Sequence, residues 1–523
     1  MEKKVRYPIG IENFKELISG GYLYVDKTEY IHTLIEQGKY FLLCRPRRFG
    51  KSLFLSTLEA FFEGKRELFD GLAITKHDYV WEPSPVIRLN LVNMNSSDPE
   101  QFTKDLSQQL GSWEAKYNVE GVDVVAQTLN GRFRKIIETA YEKTDKRVVI
   151  LIDEYDKPLV SHIDNEKTKE QFRNILKPLY SNLKGCDQYI RMALLTGVSR
   201  FSRLSIFSDI NNLNDISFDN KFAAICGITE QEMINNCQIG IDNLADENGM
   251  SCDEAVAALK TNYDGYHFTK NCPDIYNPFS LLSALSKKEV GNYWFATGTP
   301  TFLLKTLIAN GVNLEEYFTE QESSSDALSQ TDAYSSDVLP MLFQTGYLTI
   351  KGYDAETGDY LLGIPNREVG KGIYQGLLPL CAHTGNENAY RFIRECSGSL
   401  RKGNPEDFLK TLRSFLADIP YDLTCKKPEI YFENNLYVIF KVLGFNVQTE
   451  YKTSGGRIDV LVKTPKYIYV MELKLDKTAE KASRQIENKE YALPFEADGR
   501  QIFKIGVNFS SETHTISDWE IVC

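Results

Sequence analysis

The chain has 523 residues, 42% of them hydrophobic, 25% charged and 12% aromatic, which is a globular composition with length for about three domains of roughly 150 residues and excludes fibrous and disordered classes. Sixty Lys and Arg stand against 72 Asp and Glu, for a formal charge of -12 and a sequence pI near 5.3, so there is no basic coat and any nucleic-acid contact has to be local. The ten cysteines are scattered, with no Cys-x-x-Cys pair and no Cys/His spacing that would chelate zinc, and they read as reduced thiols of a cytoplasmic protein.

The segment Met1–Tyr7 is charged and runs into Pro8, without the apolar core of a signal peptide. No run of about 18 apolar residues offers a membrane span. Apolar residues at helical spacing predict a helix over Val25–Gln37, and the apolar run Tyr40–Cys44 predicts a buried parallel strand. A loop and a helix over Ser52–Phe62 follow, with Leu53, Phe54, Leu58 and Phe61 on one face. Pro85–Val92, Arg147–Ile152 and Arg191–Thr196 read as further strands with helices between them. The alternation implies an α/β fold on a parallel sheet, with a first boundary near Asp215–Asp219.

From Phe222 to Arg401 helix-compatible pieces dominate, such as Glu230–Cys237, Asp253–Leu259 and Pro278–Ser286. Within this region the Ser- and acid-rich stretch Gln321–Asp337 is expected to be a solvated loop, and Gly346–Lys351 with Asp359–Gly363 a hairpin. The last hundred residues change character again: a helix over Ile430–Leu443, strands over Phe445–Lys452, Arg457–Val462 and Tyr467–Leu475, a helix over Ala479–Tyr491 and a strand over Gln501–Phe509. From Lys426 onward there are 14 basic and 14 acidic residues, so the net negative charge lies elsewhere. If DNA or RNA binds, this is the favoured surface. The division is 1–218, 219–425 and 426–523.

Directly after the first strand comes Arg45-Pro-Arg-Arg48-Phe49-Gly50-Lys51-Ser52, whose end has the chemistry of a phosphate loop for ATP. Gly50 lets backbone N–H groups approach phosphate oxygens, Lys51 reaches the β and γ phosphates, Ser52 offers a hydroxyl to Mg²⁺, and the helix N-terminus favours the anion. Arg45 stands where the usual pattern has its first glycine, and a bare Gly-Lys-Ser also fits a tight turn before a helix. The partner is Leu151-Ile-Asp153-Glu154-Tyr-Asp156. An acid such as Asp153 at the C-terminal edge of a parallel strand holds the water shell of Mg²⁺, and Glu154 orients an attacking water. Thr196 is a candidate polar sensor between the two motifs, and Arg200 or Arg203 either contacts γ-phosphate or is a surface cation.

Near the C-terminus Asp459 lies in one strand, and Glu472-Leu-Lys474 closes the next with Glu472 and Lys474 on one face. Two carboxylates suit Mg²⁺, and a neighbouring lysine positions or deprotonates a water for attack on a phosphodiester. The same spacing fits solvated strand faces or salt bridges. Arg457, Lys477, Lys481 and Arg484 either meet a phosphate backbone or are a solvated face. Tyr263–Phe268 and Tyr293–Phe295 read as a packed corner rather than base-stacking platforms, and His267 has no partner at catalytic or metal spacing.

Tyr7–Phe14, Tyr24–Thr28, Arg45–Ser52, Leu151–Asp156, Tyr263–Phe268 and Tyr276–Phe279 together resemble the bacterial AAA-ATPase-like proteins that carry a C-terminal nuclease-like domain. In that family the arginine-rich loop lacking the first glycine is usual. The last segment resembles the PD-(D/E)XK nuclease superfamily. That resemblance implies Glu433, Asp459 and Glu472 as metal-associated acids, Lys474 as the water-activating base and Gln485 as a helper. It implies a P-loop parallel-sheet ATPase domain, a helical middle region and a restriction-endonuclease-like α/β domain. The expected function is an ATPase-coupled, Mg²⁺-dependent nuclease. The alternative is a nucleotide-dependent switch or interaction module with a silent nuclease-like domain. The sequence leaves the oligomeric state open.

Overall fold

The computed structural model describes residues 5–119, 128–162, 165–200, 206–207, 210, 212–294, 301–319, 321–324, 327–328, 338–381, 386–418, 428–443, 446–513 and 515–522. By packing, the chain forms two compact units, Met1–Gly298 with Glu320–Val369 and Thr299–Thr319 with Gly370–Cys523. Packing therefore divides the chain differently from the three sequence regions, because the helices Glu230–Asn248, Cys252–Tyr263 and Pro278–Lys287 belong to the same unit as the phosphate loop.

The first unit is built on a five-stranded sheet of β1 (Tyr40–Cys44), β2 (Val86–Asn90), β3 (Val148–Asp153), β4 (Ile190–Gly197) and β5 (Asn214–Asp215). The order is β2-β3-β4-β1-β5, and every pairing is parallel. All residues of β1 and β3 are buried, as expected for strands covered on both faces. The helix Pro99–Tyr117 shows why the cover forms. Asp98 caps it by accepting from the Glu100 N–H, Pro99 opens its first turn, and Phe102, Leu106 and Leu110 recur at the spacing of one face. Those three side chains join Phe133, Phe172 and Leu176 of neighbouring helices against the sheet, each buried side chain contributing about 1.5–3 kcal/mol.

The predicted helix from Val25 starts instead at Glu29, since Asp26 turns back to accept from the Thr28 N–H and hydroxyl. The short strands β6 (Ile228–Thr229) and β7 (Ile275–Tyr276) pair antiparallel. The expected solvated loop begins as a strand, β8 (Gln321–Ser324), beside the hairpin of β9 (Thr349–Tyr353) and β10 (Asp359–Gly363). Its side chains are polar, but backbone pairing with β10 satisfies the strand; residues 325–326 and 329–337 lie outside the described residues.

The second unit carries β11 (Asn446–Thr453), β12 (Gly456–Lys463), β13 (Tyr467–Leu475), β14 (Gln501–Ser510) and β15 (Thr515–Val522) in sequential order. Only the β13–β14 pair is parallel, as its connection through the helix Ala479–Asn488 requires. That helix is capped by Thr478 and buries Ala479, Ala482 and Ile486. It ends short of the predicted Tyr491 because the chain turns through a left-handed Glu490. Strand β15 is an addition to the predicted set. On the other side, Tyr469 donates to the Leu400 carbonyl at 2.6 Å and Trp519 Nε1 to Glu406 at 2.9 Å, tying the sheet to the helices Asn386–Arg401 and Pro405–Ala417.

Candidate functional sites

The loop leaving β1 is shaped by Arg45. Its buried guanidinium donates to the carbonyls of Cys44, Ser217, Phe222 and Ala223 at 2.9–3.4 Å and lies 4.2 Å from the centre of the Phe268 ring. The residue that replaces the first glycine is thus a structural pin. Arg48 and Gly50 adopt left-handed backbone, φ 65° and 95°, turning the chain tightly into the helix Lys51–Phe62. Phe49 points away from the loop mouth into edge contacts with Tyr266 and Phe268, and its carbonyl accepts from the Gly227 N–H at 3.0 Å. The mid-chain aromatics therefore buttress the loop from behind. Gly265 is required in that buttress, since a Cβ there would stand 2.4 Å from the Pro365 carbonyl oxygen. His267, to which the sequence assigns no catalytic or metal role, stands 2.9 Å from Asp274.

Lys51 is buried and donates to the carbonyls of Arg45 and Pro46 at 3.0 and 3.2 Å, with Glu154 at 3.4 Å. Burial alone would lower its pKa; the surrounding carboxylates of Glu154, Asp153 and Asp156 outweigh it and raise the value. Asp153 is fully buried at the end of β3. It accepts from the Thr196 hydroxyl at 2.9 Å and faces Arg88 Nη2 at 3.3 Å. Thr196 reaches it because β4 lies between β3 and β1. Glu154 follows in left-handed backbone, φ 55°. Asp156 accepts from Val198 and from the Ser199 N–H and hydroxyl, and burial first, then Glu154, push its pKa up to about 6.

Arg88 was invisible to motif reading. Its one atom Nη2 reaches both the Ser52 carbonyl at 3.2 Å and Asp153 at 3.3 Å. The Arg88 guanidinium thus bridges the first turn of the loop helix to the acid at the end of β3. A cation in an otherwise apolar buried strand was the available signal. Glu12 also feels this site: burial, then Asp153, raise its pKa, with Arg88 opposing. Arg200, a γ-phosphate candidate, is paired with Asp215 at 2.7 Å and lies over the Phe218 ring. Arg203 lies outside the described residues.

In the second unit the paired register of β12 and β13 ends at Val460 and Met471. Beyond it the Asp459 carboxylate accepts the Leu473 N–H at 2.7 Å, and β13 continues along β14. This departure of β13 brings Asp459 against Glu472. Glu472 is 1% exposed; one oxygen pairs with Lys474 at 2.7 Å and the other, Oε2, is buried without a hydrogen-bond partner among the described residues. Burial, then the charge of Asp459, push Glu472 up to about 7, and burial raises Asp459 as well. An orphaned carboxylate oxygen beside a second acid suits a divalent cation. Glu433 sits on the helix Pro428–Leu443 with its side chain outside the described set. Gln485 is on the helix Ala479–Asn488, and among the described residues no hydrogen bond joins it to the acid pair. No group of three or more His, Cys, Asp or Glu positioned for a metal occurs among the described residues.

The parallel sheet with its phosphate loop and edge acid, and the mixed sheet with its acid pair and lysine, define a P-loop ATPase-like protein joined to a nuclease-like domain. A family model described as "Predicted AAA-ATPase" matches residues 8–207, and one for the PD-(D/E)XK nuclease superfamily matches 427–519. A protein of Azotobacter chroococcum mcd 1, described as an uncharacterized protein in the vnfD 5' region, is 35% identical over 535 residues, covering 98% of both chains. The chain belongs to this AAA-ATPase-like family with a C-terminal PD-(D/E)XK nuclease superfamily domain. Among the described residues no helix is long and apolar enough to cross a membrane.

Proposed function

We propose that the chain is a nucleotide-binding, metal-dependent nuclease of the cytoplasm that hydrolyses DNA or RNA phosphodiesters under control of ATP. The observation that carries the reading is the Asp459–Glu472 pair with Lys474, in which a buried carboxylate oxygen has no hydrogen-bond partner among the described residues and Glu472 is pushed up to about 7. A perturbed acid pair of this kind is the signature of a candidate functional site.

Asp459 and Glu472, with Glu433, would hold Mg²⁺, which when bound supplies Lewis-acid charge for the phosphodiester. Lys474, as an amine, would take the proton of the water whose oxygen bonds to phosphorus as the P–O bond to the leaving oxygen breaks, the leaving oxygen taking a proton from solvent, and Gln485 would steady the reacting group. In the first unit the N–H groups of Arg48 to Ser52 and the Lys51 ammonium bind the phosphates of ATP. Ser52 and Asp153 would hold its Mg²⁺, and Glu154 orients the hydrolytic water. Control by the nucleotide is motivated by the two sites sharing one chain.

One observation favours a second reading: only two carboxylates converge at the nuclease-like site among the described residues. In that reading the domain is silent and the chain is a nucleotide-dependent switch. Mn²⁺ titration of the full chain separates the two. Binding lost on Asp459→Ala supports a live site, whereas unchanged binding with ATP-dependent oligomerisation supports the switch. A cleavage rate indifferent to ATP and to Lys51→Ala removes the coupling.

A further inference from the structure

Strand β2 reads Val-Ile-Arg-Leu-Asn, with Arg88 the one charged residue in it. Arg88 lies in register with Leu151 of β3, two residues before Asp153. Paired residues of neighbouring strands share a face of the sheet, as do positions two apart on one strand. Arg88 and Asp153 are therefore on one face, the face met by the helix Lys51–Phe62, since Arg88 reaches Ser52 and Glu59 of that helix. Its Nη1 stands 3.2 Å from Glu59, and its Nη2 stands 3.2 Å from the Ser52 carbonyl and 3.3 Å from Asp153 Oδ2.

Both oxygens of Asp153 are engaged by the protein. Oδ1 accepts from the Thr196 hydroxyl at 2.9 Å, Oδ2 faces Arg88, and Arg88 is the one cation in an ion pair with this acid among the described residues. A fully buried carboxylate is costly without a positive partner, and the guanidinium is that partner. The end of β3 is thus built to hold a cation and already holds one. A metal ion arriving with a nucleotide meets the guanidinium at the same carboxylate, where two positive charges repel in a medium that screens poorly. Arg88 is the group that can give way. Its Nη1 already touches Glu59, which is half-buried, so withdrawal from Asp153 leaves the guanidinium paired.

We propose that Arg88 is a positioning residue that holds the cation place at Asp153 and competes for it with the metal of the nucleotide, withdrawing towards Glu59 when Mg²⁺ binds. The proposal rests on the reading that Lys51, Ser52 and Asp153 hold a triphosphate with its metal. Mg²⁺ then adds less to nucleotide affinity than the same acid would allow without Arg88. Glu59 sets the balance, because it draws the guanidinium away from Asp153.

The test is the affinity of the full-length protein for a fluorescent N-methylanthraniloyl ATP, measured in EDTA and in saturating Mg²⁺, for the wild type, Arg88→Gln and Glu59→Gln. The ratio of the two dissociation constants is the contribution of the metal, and it reads nucleotide binding alone, whatever the C-terminal acids do with Mg²⁺. Arg88→Gln should raise that ratio about tenfold over the wild type. Glu59→Gln, which leaves Asp153 as the remaining ion-pair partner of Arg88 among the described residues, should lower it about threefold. A purely structural role for Arg88 would weaken binding alike in both conditions and leave the ratio unchanged. An unchanged or lower ratio in Arg88→Gln, or an unchanged or higher one in Glu59→Gln, would overturn the competition and leave the triphosphate reading standing. If Arg88→Gln does not fold, the direction of the Glu59→Gln change decides. Absence of saturable binding by the wild type in both conditions would remove the triphosphate reading and the competition together.

Discussion

Glu472 makes a prediction that is independent of any substrate. Its carboxyl is held at about 7 against an ordinary 4.5, first by burial and then by Asp459. Between those values the folded site keeps a proton that the unfolded chain releases, so stability is fully present below about pH 4.5 and is lost as pH rises through 7. At 1.36 kcal/mol per pH unit the full loss is about 3 kcal/mol, most of it between pH 5 and 7.5. Glu472→Gln cannot ionise and removes this dependence. Hydrogen–deuterium exchange of peptides spanning 456–475, compared with the variant at each pH, cancels the intrinsic exchange rate. Protection of the wild type relative to the variant should fall roughly a hundredfold from pH 5 to 8, and Mg²⁺ at pH 8 should restore it in the wild type alone. A ratio constant across that range, or equal rescue of both proteins, would refute the argument.

Arg45→Gly, which restores the usual first glycine, should lower stability by about 3–5 kcal/mol and weaken rather than improve ATP binding, because four carbonyls lose their donor; a thermal melt and an ATP titration read both. Lys51→Ala should weaken ATP at least about tenfold, whereas Glu154→Gln should keep binding and reduce phosphate release by about a hundredfold; loss of binding in the second variant would contradict its assigned role. Gly227→Ala meets a φ of 91° and puts a Cβ 2.2 Å from Ile275 Cγ2 and 3.3 Å from Phe49 Cδ1, so urea unfolding should report about 2–3 kcal/mol of destabilisation.

Legibility in the sequence followed burial. Tyr40–Cys44 and Val148–Asp153 announce themselves because both their faces are covered, and an acid at the end of such a run has few structural uses. Edge strands gave no such signal: β8, polar throughout, and β15, half polar, are held by backbone pairing with β10 and β14, which no side-chain pattern records. The two-residue β5 is too short to show a period. Asp459, Glu472 and Lys474 could be marked from strand spacing, but the orphaned oxygen of Glu472 depends on three-dimensional burial. Arg45 and Arg88 went unrecognised for a related reason. Their partners are carbonyls and acids contributed from distant segments, Phe222 and Asp153 among them.

The central claim is that the C-terminal acid pair cuts nucleic acid. Following plasmid DNA and single-stranded RNA over time with Mg²⁺ or Mn²⁺, for wild type and Glu472→Ala purified in parallel, tests it most directly. The account predicts cleavage by the wild type that disappears in the variant; cleavage that persists in the variant, or no cleavage of either substrate by the wild type, would contradict it.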